Sequence, residues 1–272
     1  MQDAVDALVR LLDLEAIEVN IFRGVSPDED RQRIFGGQVA GQALVAAART
    51  VERGAVHSLH AYFLRPGDPT VPVLYDVDRI RDGRSFTTRR VVAIQHGRAI
   101  FNLAASFHVA EPGLEHQDPM PDVPDPESLP TRRQMWEGRD DVPAAWLERD
   151  QPLDLRYVTA SPFERDVPLP PDQRVWLRAD GRLPDDPVLH TCLLTYASDM
   201  TLLDTTLLAH GTGSLDAGIM MASLDHAMWF HGPFRADDWL LYDQHSPSAS
   251  GARGLATGRV FTRDGRLVAS VV

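Results

Sequence analysis

An internal repeat constrains the fold of this chain more than any other feature of its sequence. Short matched segments recur at a separation of 167 or 168 residues. The matched pairs are Leu74-Tyr75-Asp76 with Leu241-Tyr242-Asp243, Phe63-x-x-Pro66 with Phe230-x-x-Pro233, Gly83 with Gly251, and Gly97-Arg98 with Gly265-Arg266. A near-constant separation that is kept over about 40 residues predicts a duplicated structural unit.

Each copy contains one apolar helical stretch followed by several runs with strand character, which turn residues separate. The helix candidates are residues 37–51 and 187–208. The strand candidates are residues 57–64, 71–81, 85–95 and 99–109 in the first copy, and 219–231, 239–244, 252–262 and 266–272 in the second. Asp-Gly and His-Gly pairs between these runs are typical of hairpins that join antiparallel strands. The pattern predicts an α+β fold in which an antiparallel sheet wraps one helix in each copy.

A proline-rich segment separates the two copies. Residues 111–171 hold 12 of the 20 prolines, which indicates a crossover connection. We therefore expect a first unit at 1–110, serving as scaffold and pocket wall, the connection at 111–171, and a second unit at 172–272 that carries the chemistry. Inside the connection, residues 132–148 could be helical and 153–159 could add an edge strand. Residues 5–14 have the apolar spacing of an outer helix.

Composition excludes several classes of function. The formal charge of −12 opposes binding to nucleic acid or to an anionic membrane. All 27 basic residues are arginine, which excludes a catalytic lysine, a Schiff base and a Walker lysine. The single cysteine, Cys192, cannot form an internal disulfide, and the N-terminus lacks a signal-peptide pattern, so we expect a cytoplasmic protein. No apolar run is long enough to span a bilayer.

Common catalytic signatures are missing from the sequence. It contains no Gly-x-Ser-x-Gly, His-Glu-x-x-His, Cys-x-x-Cys or Gly-x-x-x-x-Gly-Lys motif. Gly211-Thr-Gly213 lacks the third glycine of a dinucleotide-binding turn, and a plain loop is the simpler interpretation. We therefore predict chemistry that needs neither a metal nor a cofactor.

Several sequence blocks together resemble the bacterial acyl-CoA thioesterase II family. They are Phe35-Gly-Gly-Gln38 with Gln42, Val175-Trp-Leu-Arg-Ala179, Pro184-Asp-Asp-Pro187, Tyr196-Ala-Ser-Asp199, Ala222-Ser-Leu-Asp-His-Ala-Met-Trp-Phe-His231 and Ser248-Ala-Ser-Gly-Ala-Arg-Gly254. The resemblance covers residues 31–272. It implies a double hotdog fold, in which two fused helix-and-sheet units form a pseudo-dimer, and hydrolysis of fatty acyl-CoA to free acid and CoA in lipid metabolism.

The resemblance also implies site residues. The family uses an Asp, a Thr or Ser, and a Gln to activate water; the first two match Asp199 and Ser223, and the Gln falls at the position after Val272. Water that attacks a thioester must lose a proton, and a carboxylate whose pKa is raised by burial can accept it. Substrate-binding candidates are Gly36, Gly37 and Gln38, where a backbone N–H near the Gly36-Gly37 helix start could hold an oxyanion, and Arg253 and Gly254, where the arginine could clamp a CoA phosphate.

The first copy lacks this polar set, since Val56 corresponds to Ser223 and Ala105 to the expected Gln. Simpler roles compete for the candidates: Ser223 as a strand filler, Arg253 as a surface ion pair, and residues 36–38 as the shape of a helix start. Asp225, His226, Trp229 and His231 are more readily explained by packing and hydrogen bonding than by chemistry. Two other functions stay open: a non-catalytic acyl-CoA binding or sensing module, and a hotdog enoyl-CoA hydratase. The latter needs an Asp-x-Asn-x-x-His constellation, which neither Asn20 nor Asn102 fits. Exposed strand edges also predict a homo-oligomer.

Overall fold

The computed structural model describes residues 1–27, 32–137, 150–159, 167–212 and 218–272. The helices in these ranges are α1 (Gln2–Leu12), α2 (Gly36–Ala48), α3 (Arg132–Trp136) and α4 (Pro187–Ser198), with 3-10 helices at Pro126–Ser128 and Leu203–His210. The strands are β1 (Glu15–Glu18), β2 (Ile21–Gly24), β3 (Ala55–Phe63), β4 (Val73–Asp82), β5 (Phe86–Gln95), β6 (Arg98–His108), β7 (Leu153–Tyr157), β8 (Asp172–Ala179), β9 (Asp225–Phe230), β10 (Leu240–Ser250), β11 (Arg253–Thr262) and β12 (Leu267–Val271).

These strands form one antiparallel sheet in the order β1-β2-β4-β5-β6-β3-β9-β12-β11-β10-β8-β7. The order is symmetric about its centre, so β3, β6, β5 and β4 have their counterparts in β9, β12, β11 and β10. The first and second units therefore repeat the same strand arrangement, as a double hotdog requires. The predicted α+β fold is confirmed.

The register at the centre of the sheet agrees with the repeat separation. Ser58 of β3 lies opposite Trp229 of β9, and Tyr62 lies opposite Asp225. At a separation of 167, residue 58 corresponds to residue 225, and residue 62 corresponds to residue 229. Exchanging the two copies therefore converts one of these pairs into the other. His60 lies opposite its own counterpart, Ala227. The two units are thus related by a pseudo-two-fold axis that passes between these two residues.

The two long apolar helices lie against each other inside the sheet. α2 is rich in alanine and glycine and most of its side chains are buried, which permits a close helix–helix approach. A Cβ atom added to Gly41 would lie 3.2 Å from the Cys192 carbonyl oxygen of α4. Cys192 is fully buried with its thiol free, and this burial raises the pKa of the thiol, in agreement with a core role.

The N-terminal helix covers the central pair from outside, as predicted. α1 buries Val5, Leu8 and Leu12, which share one face at helical spacing. The Leu12 side chain reaches to 3.1 Å from the position that a Cβ of Gly41 would take. α1 therefore seals the side of α2 that the sheet leaves uncovered.

Two of the predicted elements that are shorter in the structure lie at the candidate site. The helix expected over 187–208 ends at Ser198, and the hydroxyls of Thr195 and Ser198 bond to carbonyls of the preceding turn, which weakens a helix. A 3-10 helix follows. The strand expected over 219–231 begins only at Asp225, so Ser223 lies in the irregular segment before β9.

The connection contributes to the sheet edge. β7 pairs with β8 as the outermost strand, which confirms the predicted edge strand at 153–159. The helix predicted over 132–148 is confirmed only for α3, and residues 138–149 lie outside the described ranges. Strands β1, β2 and β8 were not predicted. Across the described ranges, the structure has no helix that is long and apolar enough to cross a membrane.

Candidate active site

Asp199, Ser223 and the start of α2 meet at one point. The Ser223 hydroxyl donates a hydrogen bond to Asp199 Oδ1 at 3.0 Å, across 24 residues of sequence. The backbone N–H of Gly37 donates a second hydrogen bond to the same carboxylate. The site therefore combines two side chains of the second copy with backbone of the first.

The two glycines of α2 make this approach possible. A Cβ added to Gly36 would lie 2.7 Å from Asp199 Oδ2 and 2.8 Å from the Phe63 ring, and one added to Gly37 would lie 2.3 Å from the Tyr196 carbonyl oxygen. Each of these separations is too short for a real side chain. Glycine at both positions thus lets the N-terminus of α2 touch the C-terminus of α4.

Burial and hydrogen bonding have opposite effects on the Asp199 carboxyl. Desolvation is the larger effect and raises its pKa to about 6, with a further rise from Asp204, while the hydrogen bonds from Ser223 and Gly37 lower it. The N-terminal end of α2 also favours the anion. The residue keeps partial solvent access. Asp199 is therefore a base whose pKa lies near neutral pH and which water can still reach.

The residue before Asp199 is held from two strands of the second copy. Ser198 is fully buried and ends α4. Its carbonyl oxygen accepts a hydrogen bond of 3.2 Å from the Tyr242 hydroxyl on β10. Its hydroxyl lies 2.8 Å from His226 Nε2 on β9 and donates to the Thr195 carbonyl at 2.9 Å. Sequence reasoning did not find these contacts, although the repeat had marked Tyr242 as the match of Tyr75.

Aromatic rings line the same junction. Phe35 and Tyr196 pack edge to face with centroids 5.1 Å apart, which joins the start of α2 to the last turn of α4. The Phe63 ring packs against Phe101 and against Gly36. Because the Phe63 N–H donates to the Leu224 carbonyl, the end of β3 is fastened beside Ser223. Phe63 entered the sequence analysis only as a repeat match, and no linear signal linked it to Asp199.

The oxyanion role of the helix start stays a prediction, and the contacts of its residues bear on it. The Gly37 N–H already donates to the Asp199 carboxylate, so it orients the base. The Gln38 side chain is buried and its amide donates to the Val25 carbonyl and the Ser26 hydroxyl, in the segment before α2. Of the three residues, Gly36 and Gly37 adjoin Asp199, whereas the Gln38 amide contacts the first copy alone.

Arg253 and Gly254 begin β11, directly after the turn that joins it to β10. Arg253 is exposed and pairs with Ser250 across the turn. Gly254 packs against Thr206, since an added Cβ would lie 2.7 Å from that side chain. Thr206 belongs to the 3-10 helix that follows Asp199 in the chain. The two candidates are thus joined to the Asp199 region through this helix, and their binding role stays a prediction.

The other polar residues of the Asp-His-x-Met-Trp-Phe-His block have contacts of their own. Asp225 is exposed and begins β9. The Trp229 ring packs edge to face on His60, and His231 Nε2 lies 2.8 Å from the Ser270 hydroxyl. Burial lowers the pKa of His226 to about 4, so this imidazole is neutral at physiological pH. Packing or hydrogen bonding is observed for His226, Trp229 and His231, and the Asp225 side chain is exposed to solvent.

Comparison with known proteins bears on the function. The family described as "Acyl-CoA thioesterase" matches residues 151–272, and "Acyl-CoA thioesterase N-terminal domain" matches residues 26–108. Acyl-CoA thioesterase 2 of Haemophilus influenzae is 40% identical over 281 residues, which cover 99% of this chain and 96% of that protein. This chain belongs to the acyl-CoA thioesterase family. Acyl-coenzyme A thioesterase 8 of Mus musculus is 44% identical, over 94% of this chain and 84% of its own length.

Solved structures place this thioesterase in the same group. The acyl-CoA thioesterase II TesB2 of Mycobacterium marinum is 50% identical, with a TM-score of 0.79 over 96% of this chain and 94% of that one. A tesB protein of Mycobacterium avium subs paratuberculosis reaches a TM-score of 0.83 at 34% identity, over 98% and 96% of the two chains. Both copies of the repeat are therefore present in relatives that share the fold from end to end.

Proposed function

We propose that this thioesterase hydrolyses medium- or long-chain fatty acyl-CoA to free fatty acid and CoA, with Asp199 as the general base and Ser223 orienting the water. The observation that carries the proposal is the convergence of Asp199, Ser223 and Gly37 around one partly accessible carboxylate with a pKa of about 6. A base of this strength is ionised at neutral pH and is still strong enough to accept a proton from water.

The reaction follows from this arrangement. A water molecule attacks the thioester carbonyl carbon while the Asp199 carboxylate takes one of its protons. The tetrahedral intermediate then collapses, the carbon–sulfur bond breaks, and the sulfur leaves with the proton from the Asp199 carboxyl. The products are the free acid and the CoA thiol, and the carboxylate is restored. The Ser223 hydroxyl can donate to the carboxylate and accept from the water, which aligns the two.

A glutamine after Val272 would complete the polar set that the family resemblance implies. The course of β12 supports this proposal, because Val271 lies opposite Met228 and Val272 exchanges backbone hydrogen bonds with Ala227. The next position along the strand is therefore nearer to Ser223. A chain extended by Gln after Val272 should turn over faster than one extended by Ala, and equal rates would remove the glutamine from the mechanism.

We also propose which residues bind the substrate. Arg253 is exposed beside the 3-10 helix that follows Asp199, where a guanidinium can bind a CoA phosphate, with Gly254 allowing close approach to the turn. Gly36 and Gly37 would border the thioester. The first unit would act as scaffold and acyl-pocket wall, and the division at residues 110 and 172 is part of the same proposal. We further propose a homo-oligomer that acts in the cytoplasm without a cofactor.

Thiol release is the deciding experiment. The full chain is mixed with short, medium and long acyl-CoA, and free CoA is followed with a thiol reagent. We expect turnover of the medium or long substrates, with kcat/KM rising through an apparent pKa of about 6 and level above it. Binding of acyl-CoA without thiol release would favour the sensing module. Loss of enoyl conjugation from a 2-enoyl-CoA, without thiol release, would favour the hydratase.

A further inference from the structure

The last residue of α4, Ser198, is held by hydrogen bonds from two neighbouring strands. The final carbonyls of a helix have no partner within the helix, and in a buried position they need one from elsewhere. The Ser198 carbonyl finds that partner in the Tyr242 hydroxyl at 3.2 Å, and the Ser198 hydroxyl finds His226 Nε2 at 2.8 Å. All three residues are almost completely buried. We call Tyr242 and His226 the Ser198 anchor.

The hydrogen bonds of the anchor form a consistent set. The Thr195 carbonyl can only accept, so the Ser198 hydroxyl donates to it and accepts from the Nε2–H of neutral His226. Tyr242 is fully buried, and its burial raises the pKa of the phenol well above its usual value, so the hydroxyl keeps its proton and donates. Neither member of the anchor changes charge near neutral pH.

Asp199 follows Ser198 directly, so the anchor fixes the position of the backbone from which the Asp199 side chain extends. Its carboxylate is then oriented by Ser223 and by the Gly37 N–H. The backbone is held from β9 and β10 of the second copy, while one carboxylate bond comes from the first copy. If the backbone before Asp199 were free to shift, both carboxylate bonds would lengthen together.

We propose that Tyr242 and His226 are positioning residues, which hold Asp199 in its productive geometry through Ser198. The inference rests on the proposed function of Asp199 as the base. Misplacement of a reacting group by about 1 Å can cost roughly 100-fold in rate, so the loss of either contact should appear in kcat. KM should change little, since neither side chain is proposed to touch acyl-CoA.

The chain supplies a matched control at the repeat position. Tyr75 is also fully buried, lies on β4 at the place that Tyr242 takes on β10, and donates to the Gln42 side chain at 2.7 Å. Replacement of either tyrosine by phenylalanine removes one buried hydroxyl and leaves one buried acceptor. The two variants should therefore lose similar stability, and they differ in whether the freed acceptor precedes the base.

The test compares Tyr242→Phe with Tyr75→Phe in the full chain, by thiol release from one acyl-CoA across pH. We expect Tyr242→Phe to lower kcat by roughly 10- to 100-fold with KM within about twofold, and Tyr75→Phe to leave both unchanged. The apparent pKa of kcat/KM should rise above about 6 in Tyr242→Phe, because the hydrogen bonds that lower the Asp199 pKa weaken while Asp204 still faces it. A purely structural role would leave this pKa in place.

A second pair of variants guards against a failure to fold. His226→Gln keeps a nitrogen near the Nε2 position, whereas His226→Leu removes it, so we expect Gln to retain most of kcat and Leu to lose it. This inference alone is overturned if Tyr242→Phe and Tyr75→Phe have equal kinetics. If Tyr242→Phe does not fold, equal kcat values for His226→Gln and His226→Leu overturn it instead. A wild-type protein that releases no thiol overturns the proposed function, and this inference with it.

Discussion

The two central helices end in opposite electrostatic surroundings. After α2, the hydroxyl and carbonyl of Thr50 accept hydrogen bonds from the buried Arg89 guanidinium at 2.7 and 2.9 Å. At the end of α4, Ser198 is held by the neutral groups of Tyr242 and His226, and the next residue is the anion Asp199. One copy has a cation at its helix end, and the other has a carboxylate.

Helix electrostatics explains which arrangement favours stability. A cation at the C-terminal end of a helix complements the partial negative charge there, and a carboxylate at that end does not. Asp199 is tolerated because it also faces the N-terminal end of α2, whose Gly37 N–H donates to it. The comparison teaches that the first copy places a stabilising cation at this helix end, whereas the second copy places there the carboxylate that we propose as the base.

The largest effect that tests this contrast is the loss of the base. Asp199→Asn keeps the size of the side chain and cannot accept a proton from water. We expect kcat to fall by about 10²- to 10⁴-fold, which corresponds to roughly 3 to 5 kcal/mol. Thiol release by the purified variant measures it. Turnover at the wild-type rate would remove Asp199 from the mechanism and break the contrast at its centre.

Replacement of Arg89 in the first copy should lower stability and leave catalysis unchanged. Arg89→Met keeps the apolar stem and removes the guanidinium from Thr50, which leaves buried acceptors without a donor. We expect the free energy of unfolding to fall by about 2 to 4 kcal/mol in urea denaturation, with kcat/KM of the folded protein unchanged.

Arg90→Met is the control for the Arg89 change. The neighbouring Arg90 is exposed and pairs with Asp78 at 3.0 Å, so its loss should alter stability by less than about 1 kcal/mol. A large drop in kcat/KM for Arg89→Met would mean that the first helix end takes part in catalysis, and the proposed division of labour would be wrong.

Asp199→Asn should also make the protein more stable at neutral pH. The folded pKa of about 6 lies above the ordinary value of 3.8, so the folded state holds this proton more tightly than the unfolded chain. Stability from this group is therefore complete below about pH 4 and is lost as the pH rises through about 6. The neutral amide escapes that loss.

The stability gain of Asp199→Asn should reach about 1 to 3 kcal/mol at pH 8, reduced from the full value by partial solvent access. It should vanish near pH 4. Urea unfolding of both proteins at the two pH values measures the difference. A variant that is less stable than wild type at pH 8 would show that the hydrogen bonds from Ser223 and Gly37 outweigh desolvation.

The smallest effect is expected at Ser223. Ser223→Ala removes the hydroxyl that donates to Asp199, and we expect about a 10-fold loss in kcat. Ser223→Thr keeps the hydroxyl and should retain activity. Val56→Ala, at the matching position of the first copy, should leave kcat unchanged. Equal rates for the Ala variants at 223 and 56 would reduce Ser223 to a filler.

Sequence reasoning reached the fold through the repeat because two copies of one unit keep matched residues at a near-constant separation. The pairing of His60 with its counterpart Ala227 agrees with that duplication. It misplaced the end of α4, since apolar spacing continues to residue 208 and the change to a 3-10 helix after Ser198 carries no periodic signal. It also missed β8, where Val175, Trp176 and Leu177 are buried in succession and so break the alternation of a half-exposed strand.

The candidate site was found only in part for a related reason. Asp199 and Ser223 stood out as polar residues within a family block, and the structure brings them within hydrogen-bond distance. The contacts from Phe63, Gly37 and Tyr242 come from other strands and from the other copy. Such contacts join distant parts of the chain, and neither composition nor spacing encodes which residues will meet.

By itself, the sequence determined the duplication, the α+β class, the family and the two polar side chains of the second copy. Only the tertiary structure decided that Asp199 lies at a helix end, that the first copy supplies the Gly37 N–H, and that the Asp199 pKa is about 6. The reason is physical. Repeat and periodicity are properties along one chain, whereas desolvation and hydrogen bonding depend on every group that packing brings near the carboxylate.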